Sequence, residues 1–215
     1  MFDKCKKLLL QILHFEISPA QIWILLNAFL KGTFYIVWYR LFRKNVKIKF
    51  PFMVYGPVSI LGEGSVFIDE MCSVFYSIHE GLTIVTLSPY AHVYIGKCCD
   101  LAGLTIRCNN SVTIGDHVMS ASCLIQDVMF IDGRSNIINQ SDRGMYDNKE
   151  IIIGNYAWLC TLSCVLSGSE LCHGSVLSVG SCTCDQKSGN YKLIMGNPVK
   201  KMISIDRLLR LKGVE

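Results

Sequence analysis

From Ile153 onward an aliphatic side chain returns at every sixth position. Ile153, Leu159, Val165, Leu171 and Leu177 follow one another without a slip, and Thr183, β-branched but not aliphatic, takes the next step. Two residues before each of these stand Ile151, Ala157, Ser163, Ser169, Ser175 and Ser181, all but the first Ala or Ser. An amphipathic helix repeats every 3.6 residues and a half-buried strand every two, so a period of six is neither. It fits a chain wound in coils of three short faces, each face sending one aliphatic residue into a narrow core. The strands of successive coils then pair in parallel and stack their aliphatics in ladders.

Upstream the pattern loosens without becoming helical. Val58-Ser59-Ile60, Leu82-Thr83-Ile84, His92-Val93-Tyr94-Ile95, Leu104-Thr105-Ile106 and Val112-Thr113-Ile114 read as short strands between turn residues. Ile95-Gly96 and Ile114-Gly115 fit the hexad, but the spacing between them does not divide by six, so an inserted residue or bulge is expected there. The polar stretch from about Asp127 to Glu150, containing Asp132-Gly133-Arg134-Ser135-Asn136 and Ser141-Asp142-Arg143-Gly144, interrupts the repeat and predicts a loop projecting from one edge. Together these features predict a β-helix, with a β-sandwich of many short strands as the alternative.

Both ends differ from this middle. Ser18-Pro19 is a helix start, and a strongly apolar helix is expected from Gln21 to about Phe42. Asn27 and Lys31 share one of its faces, and Arg40, Arg43, Lys44, Lys47 and Lys49 follow with no acid among them. A lysine is expensive at the centre of a membrane span. A helix in the membrane interface, its basic flank toward anionic lipid, fits residues 20–49 better. The alternative is a helix packed on the protein or a neighbouring subunit. Lys4, Lys6 and Lys7 before Leu8-Leu9-Leu10 imitate a signal peptide, but no small-x-small cleavage site follows. At the other end Ser188-Gly189-Asn190 breaks the coil. Met195 to Lys201 reads as a turn, and Ser204 to Lys212 as a short basic helix.

Composition narrows the chemistry. The formal charge of +4 gives no global field for nucleic acid. Eleven cysteines, an odd number without a Cys-x-x-Cys pair, point to reduced and mostly buried thiols rather than to a metal site, with Cys182 and Cys184 the pair most open to one.

Ile151-Ile152-Ile153-Gly154-Asn155-Tyr156-Ala157-Trp158-Leu159 resembles the signature coil of hexapeptide-repeat acyltransferases, such as the bacterial sugar O-acetyltransferases. Gly196-Asn197-Pro198-Val199-Lys200 is similar to their Gly-Asn-Pro-Ala-Lys turn. The resemblance covers residues 54 to 203 and implies an all-β, left-handed parallel β-helix of hexapeptide repeats. The organisation expected is an N-terminal helical segment in 1–50, the β-helix in 51–187 with its loop at about 127–150, and a C-terminal turn and short helix in 188–215. It also implies a homotrimer, acetyl-CoA as co-substrate, no metal, and a sugar or lipid-linked glycan acceptor in surface polysaccharide biosynthesis. The expected location is cytoplasmic and peripheral at the inner face of the bacterial cell membrane. On this likeness Trp158 lies beside the CoA groove or fills a coil corner. Lys200 meets a CoA phosphate or is simply solvated. Cys160, Ser178, Gly180 and Asn197 complete the donor site, while Gly196 and Pro198 shape the turn.

One part of the pattern is missing. The family's general base is a His after an Asp-rich turn at the start of the loop, and Asp127-Val128-Met129-Phe130-Ile131-Asp132 contains none. Asp127, Asp132 and His92 are the candidates that remain. Of the other histidines, His79 lies with His92 nearer the first coils, where a neighbouring subunit would bring them to the groove, His14 precedes them, and His117 and His173 fall in turns, where a solvated role is the ordinary one. An alcohol needs a base to attack a thioester at neutral pH. Three readings therefore stand: an active acyltransferase with an unusual base, an inactive relative that still binds CoA or a sugar, and a structural β-helix.

Overall fold

The computed structural model describes residues 18–78, 81–128 and 149–206. They form one helix and eighteen strands, mostly in parallel sheets. The helix α1 (Pro19–Phe42) starts as its sequence dictates. The Ser18 hydroxyl accepts the Gln21 N–H, the Gln21 side chain accepts the Ser18 N–H, and Pro19 occupies the first turn.

The strands fall into three columns. The first holds β1 (Val46–Ile48), β4 (Ser65–Ile68), β7 (His92–Ile95), β9 (Ser111–Ile114), β11 (Ile151–Ile153) and β14 (Glu170–Leu171). The second holds β2 (Phe52–Val54), β5 (Cys72–Phe75), the first halves of β8 (Asp100–Cys108) and β10 (Met119–Gln126), then β12 (Trp158–Leu159), β15 (Val176–Leu177) and β17 (Lys192–Met195). The third holds β3 (Val58–Leu61), β6 (Leu82–Thr86), the second halves of β8 and β10, β13 (Cys164–Leu166) and β16 (Cys182–Thr183). Strands β8 and β10 serve two columns because Gly103 and Ser122, both at positive φ, bend them mid-strand.

Pairing within each column is parallel, and in the regular part the chain returns after eighteen residues. Ile152 stands beside Glu170, Trp158 beside Val176 and Cys164 beside Cys182. Three hexads therefore make one return. Ile153, Leu159, Val165, Leu171, Leu177 and Thr183 are all buried, as are the small residues Ala157, Ser163, Ser169, Ser175 and Ser181. Thr183 belongs to the core ladder despite its hydroxyl, which donates to Ser169 Oγ at 3.0 Å.

The expected irregularity between Ile95 and Ile114 resolves into two adjustments. Ile106 and Ile125 align with Val165, and Ile114 aligns with Ile153 and Leu171. From Ile106 to Ile114 the chain takes eight residues where Val165 to Leu171 takes six. From Leu101 to Ile106 it takes five where Leu159 to Val165 takes six. The corner between columns two and three is shortened by one residue, and the corner back to column one is lengthened by two at Asn109-Asn110.

Two segments depart from expectation. The parallel stack begins at Val46 and continues past Ser188 to Met195, because β17 pairs in parallel with β15. The turn at Gly189-Asn190 carries the chain into this further strand instead of ending the coil. Ser204, expected to open a helix, closes strand β18 (Lys201–Ser204), which runs antiparallel on β17. The turn at Gly196 to Lys200 folds it back there. The remainder of the expected C-terminal helix, from residue 207, lies outside the described residues, as does most of the loop at 127–150.

Helix α1 closes the first end of the stack. β1, β2 and β3 are the terminal strands of their columns. The Ile60 N–H on β3 donates to the Tyr39 hydroxyl at 3.1 Å, and Arg43 donates to the Ile60 and Gly62 carbonyls at 3.2 and 3.0 Å. These edge groups would otherwise be unpaired. Gly32 permits the approach, since a Cβ there would stand 1.6 Å from the Phe52 carbonyl oxygen on β2.

Candidate functional site

The corner between columns two and three gathers most of the expected donor residues. Cys160 follows β12, and its N–H donates to the Leu177 carbonyl at 3.0 Å. Ser178 lies one coil further, and its N–H donates to the Ile194 carbonyl at 2.9 Å. Gly180, at φ +66°, stacks on the preceding coil through the Thr161 carbonyl at 3.1 Å. A Cβ on Gly180 would meet nothing within 4 Å, so the space beside it is open.

The turn from Gly196 to Lys200 is clamped onto this corner by backbone bonds. The Gly196 N–H donates to Ser181 Oγ at 3.1 Å, the Cys182 N–H to the Gly196 carbonyl at 2.9 Å, and the Val199 N–H to the Cys182 carbonyl at 2.9 Å. Asn197 and Lys200 are exposed at its tip. Trp158 stands at the start of β12, in register with Met119 and Val176 and 48% exposed. It therefore lies on the outward face. Burial pushes the Cys160 thiol up, which keeps it protonated and poorly nucleophilic.

A cleft of about 310 Å³ opens at the same corner, lined by Thr105, Ser122, Leu162 and Ser163 among others. The Ser163 hydroxyl is buried and has no partner among the described residues. Sequence reasoning missed this cleft. Its walls come from coils that sit in register only through the one-residue shortening of the corner, and no linear pattern carries that.

Two of the candidate bases, Asp127 and His92, stand at a different corner, where column three passes to column one. Asp127 is fully buried there. Its two carboxylate oxygens accept the Asn109 and Asn110 N–H groups, both at 2.7 Å. It fastens the lengthened turn, an arrangement that leaves its carboxylate engaged. Burial, and then the Asp127 carboxylate, push the neighbouring Cys108 thiol up to about 12. Asp132, His14 and His79 lie outside the described residues.

His92 opens β7 on the outer surface of this corner. Its Nδ1 is hydrogen-bonded to Ser65 Oγ on the neighbouring strand β4, and Ser111 of β9 stands in register on its other side. Ser65 had no sequence signal, being twenty-seven residues away. His117 and His173 lie on the third corner in an aromatic ladder. His117 stacks on Tyr156 at 4.7 Å, and His173 packs edge-on against Tyr156 and Tyr191 at 5.3 and 5.1 Å. Among the described residues, no three His, Cys, Asp or Glu side chains are grouped to hold a metal ion.

Compared with known proteins, the chain matches no family model and no curated protein. The likeness to hexapeptide acyltransferases rests on the chain's own residues.

Proposed function

We propose that the protein is a left-handed parallel β-helix that transfers an acetyl group from acetyl-CoA to a hydroxyl of a sugar or glycan. The observation that carries this reading is the convergence at one corner of Cys160, Ser178, Gly180 and the Gly196–Lys200 turn, beside an exposed Trp158. Residues of successive coils that the resemblance places along the donor path, and the turn that resembles the family's own, meet there. The eighteen-residue return, three hexads per coil, supports the fold. The open space at Gly180 suits a thin pantetheine arm, and the exposed Lys200 ammonium suits a phosphate.

His92 is the proposed base. In the tautomer whose Nδ1–H donates to Ser65 Oγ, Nε2 of this exposed ring is the basic nitrogen that takes the acceptor proton. The acceptor oxygen then attacks the thioester carbonyl. Collapse of the tetrahedral intermediate expels the CoA thiolate, which recovers the proton from His92. Sugar O-acetyl ester and free CoA are the products. Within one chain His92 and the donor corner stand on different edges, so the proposed site is shared between copies of a homotrimer.

Calorimetry with acetyl-CoA tests the donor half. Micromolar affinity, about −8 kcal/mol, weakened by Trp158→Ala and by Lys200→Ala, is the expected result. No binding by the folded protein overturns the transferase reading. Release of CoA thiol across a panel of sugars tests the second half. His92→Gln is expected to lower kcat about a hundredfold or more while leaving acetyl-CoA affinity unchanged. The stretch from Asp127 to Asp132, which lacks histidine, favours a second reading, a non-catalytic relative. Acetyl-CoA binding without turnover on any sugar would establish it.

A further inference from the structure

The outer surface of α1 is apolar where a water-facing helix would be polar. Trp23, Leu30 and Leu41 are 68%, 62% and 69% exposed, and Leu26, Phe34 and Val37 lie with them on the side away from the strands. Its inner side is committed, with Ala28, Gly32 and Tyr39 buried against the first coil. The helix is thus apolar on both sides. An exposed patch of this kind marks an interaction surface.

Charge identifies what covers it. No acid occurs between Glu16 and Glu63. Lys31, Arg40, Lys44 and Lys47 are exposed there and make no ion pair among the described residues. Arg43 is spent on the Ile60 and Gly62 carbonyls and Lys49 on Asp69, at 3.0 Å. An apolar face rimmed by unpaired cations matches the interface of an anionic bilayer, with apolar groups in the acyl boundary and cations among the headgroups. A second copy of the same face fits worse, because a twofold contact would set this acid-free rim against itself. A helix crossing the bilayer would have to leave its seat, exposing the Ile60 N–H and the β2 edge that it now covers.

We propose that α1 docks the protein end-on onto an anionic membrane surface, with the helix lying in the interface and the strand columns rising away from it. This inference does not depend on the acyltransferase reading. The test is flotation of the full chain with vesicles of phosphatidylcholine alone and of phosphatidylcholine mixed with phosphatidylglycerol. The protein is expected to float with the mixed vesicles and to bind neutral ones at least about tenfold more weakly. Lys44→Glu combined with Lys47→Glu, both exposed and outside the packed seat, is expected to weaken binding to the mixed vesicles by a similar factor. Leu30→Glu is expected to abolish it, with circular dichroism unchanged. Equal binding to both vesicles, or none to either, overturns the proposal. So does a self-association, seen in sedimentation, that Leu30→Glu removes while vesicle binding stays absent.

Discussion

Asp127 shows how one side chain sets the geometry of a corner. The chain needs two additional residues at Asn109-Asn110, and their N–H groups point where a regular coil has no acceptor. The buried carboxylate accepts both at 2.7 Å. Hydrogen bonds to a charged acceptor are the stronger class, and removing the carboxylate takes away both of these part-buried bonds at once. Asp127→Ala is expected to lower unfolding free energy by about 2–4 kcal/mol in a denaturant titration, and Asp127→Asn, which keeps one acceptor oxygen, by roughly half that. This role was not legible in the sequence, where an acid at the head of a polar loop looks like a candidate base. The two N–H bonds its carboxylate accepts, which linear position does not report, are what give it the structural role. Thr183 is the opposite case. It breaks the aliphatic run but keeps the period, and the period was the better guide to its buried place.

At the scale of elements, legibility followed regularity. The coils after Ile151 were readable because each hexad has the same length, so one-dimensional spacing maps directly onto pairing register. The earlier strands were recognisable as strands but not in register. Ser65 returns to His92 after twenty-seven residues and Val58 to Leu82 after twenty-four, and no short period survives such turns. Strand β18 was missed because its residues carry basic and apolar side chains that suit a helix equally well. Only the preceding turn fixes its direction. Helix α1 was readable from Ser18 and Pro19, yet its seat was not, since it needs a close approach to β2 that only Gly32 permits. Adding a methyl at Gly32 forces helix and β2 apart, because the atom it meets is a backbone oxygen. Gly32→Ala is therefore expected to destabilise the protein by about 1–3 kcal/mol despite its better helix propensity. Proteolysis should then cut first between α1 and β1. Unchanged stability would show that the helix does not rest on the first coil.

The whole molecule poses a question of placement. The donor corner joins columns two and three near the last coils, while His92 stands where column three passes to column one, near the middle of the stack. Each chain thus carries half of the proposed site on one edge and half on another. Copies packed side by side about an axis parallel to the columns bring unlike edges together. In the proposed trimer such packing also sets every α1 at the same end, where the proposed bilayer contacts of the three copies would reinforce one another. Mixing two inactive variants tests this arrangement. Trp158→Ala combined with Lys200→Ala, assayed at an acetyl-CoA concentration too low to saturate it, disables the donor half and leaves His92; His92→Gln does the reverse. Co-refolded in equal amounts, random trimers are expected to place an intact donor edge against an intact His92 at about a quarter of their interfaces, recovering about a quarter of wild-type turnover. The same variants assayed separately and summed should show almost none. If the mixture stays as inactive as its parts while subunit exchange is verified by mass, both halves must come from one chain. His92 would then be too far from the donor corner to serve as its base.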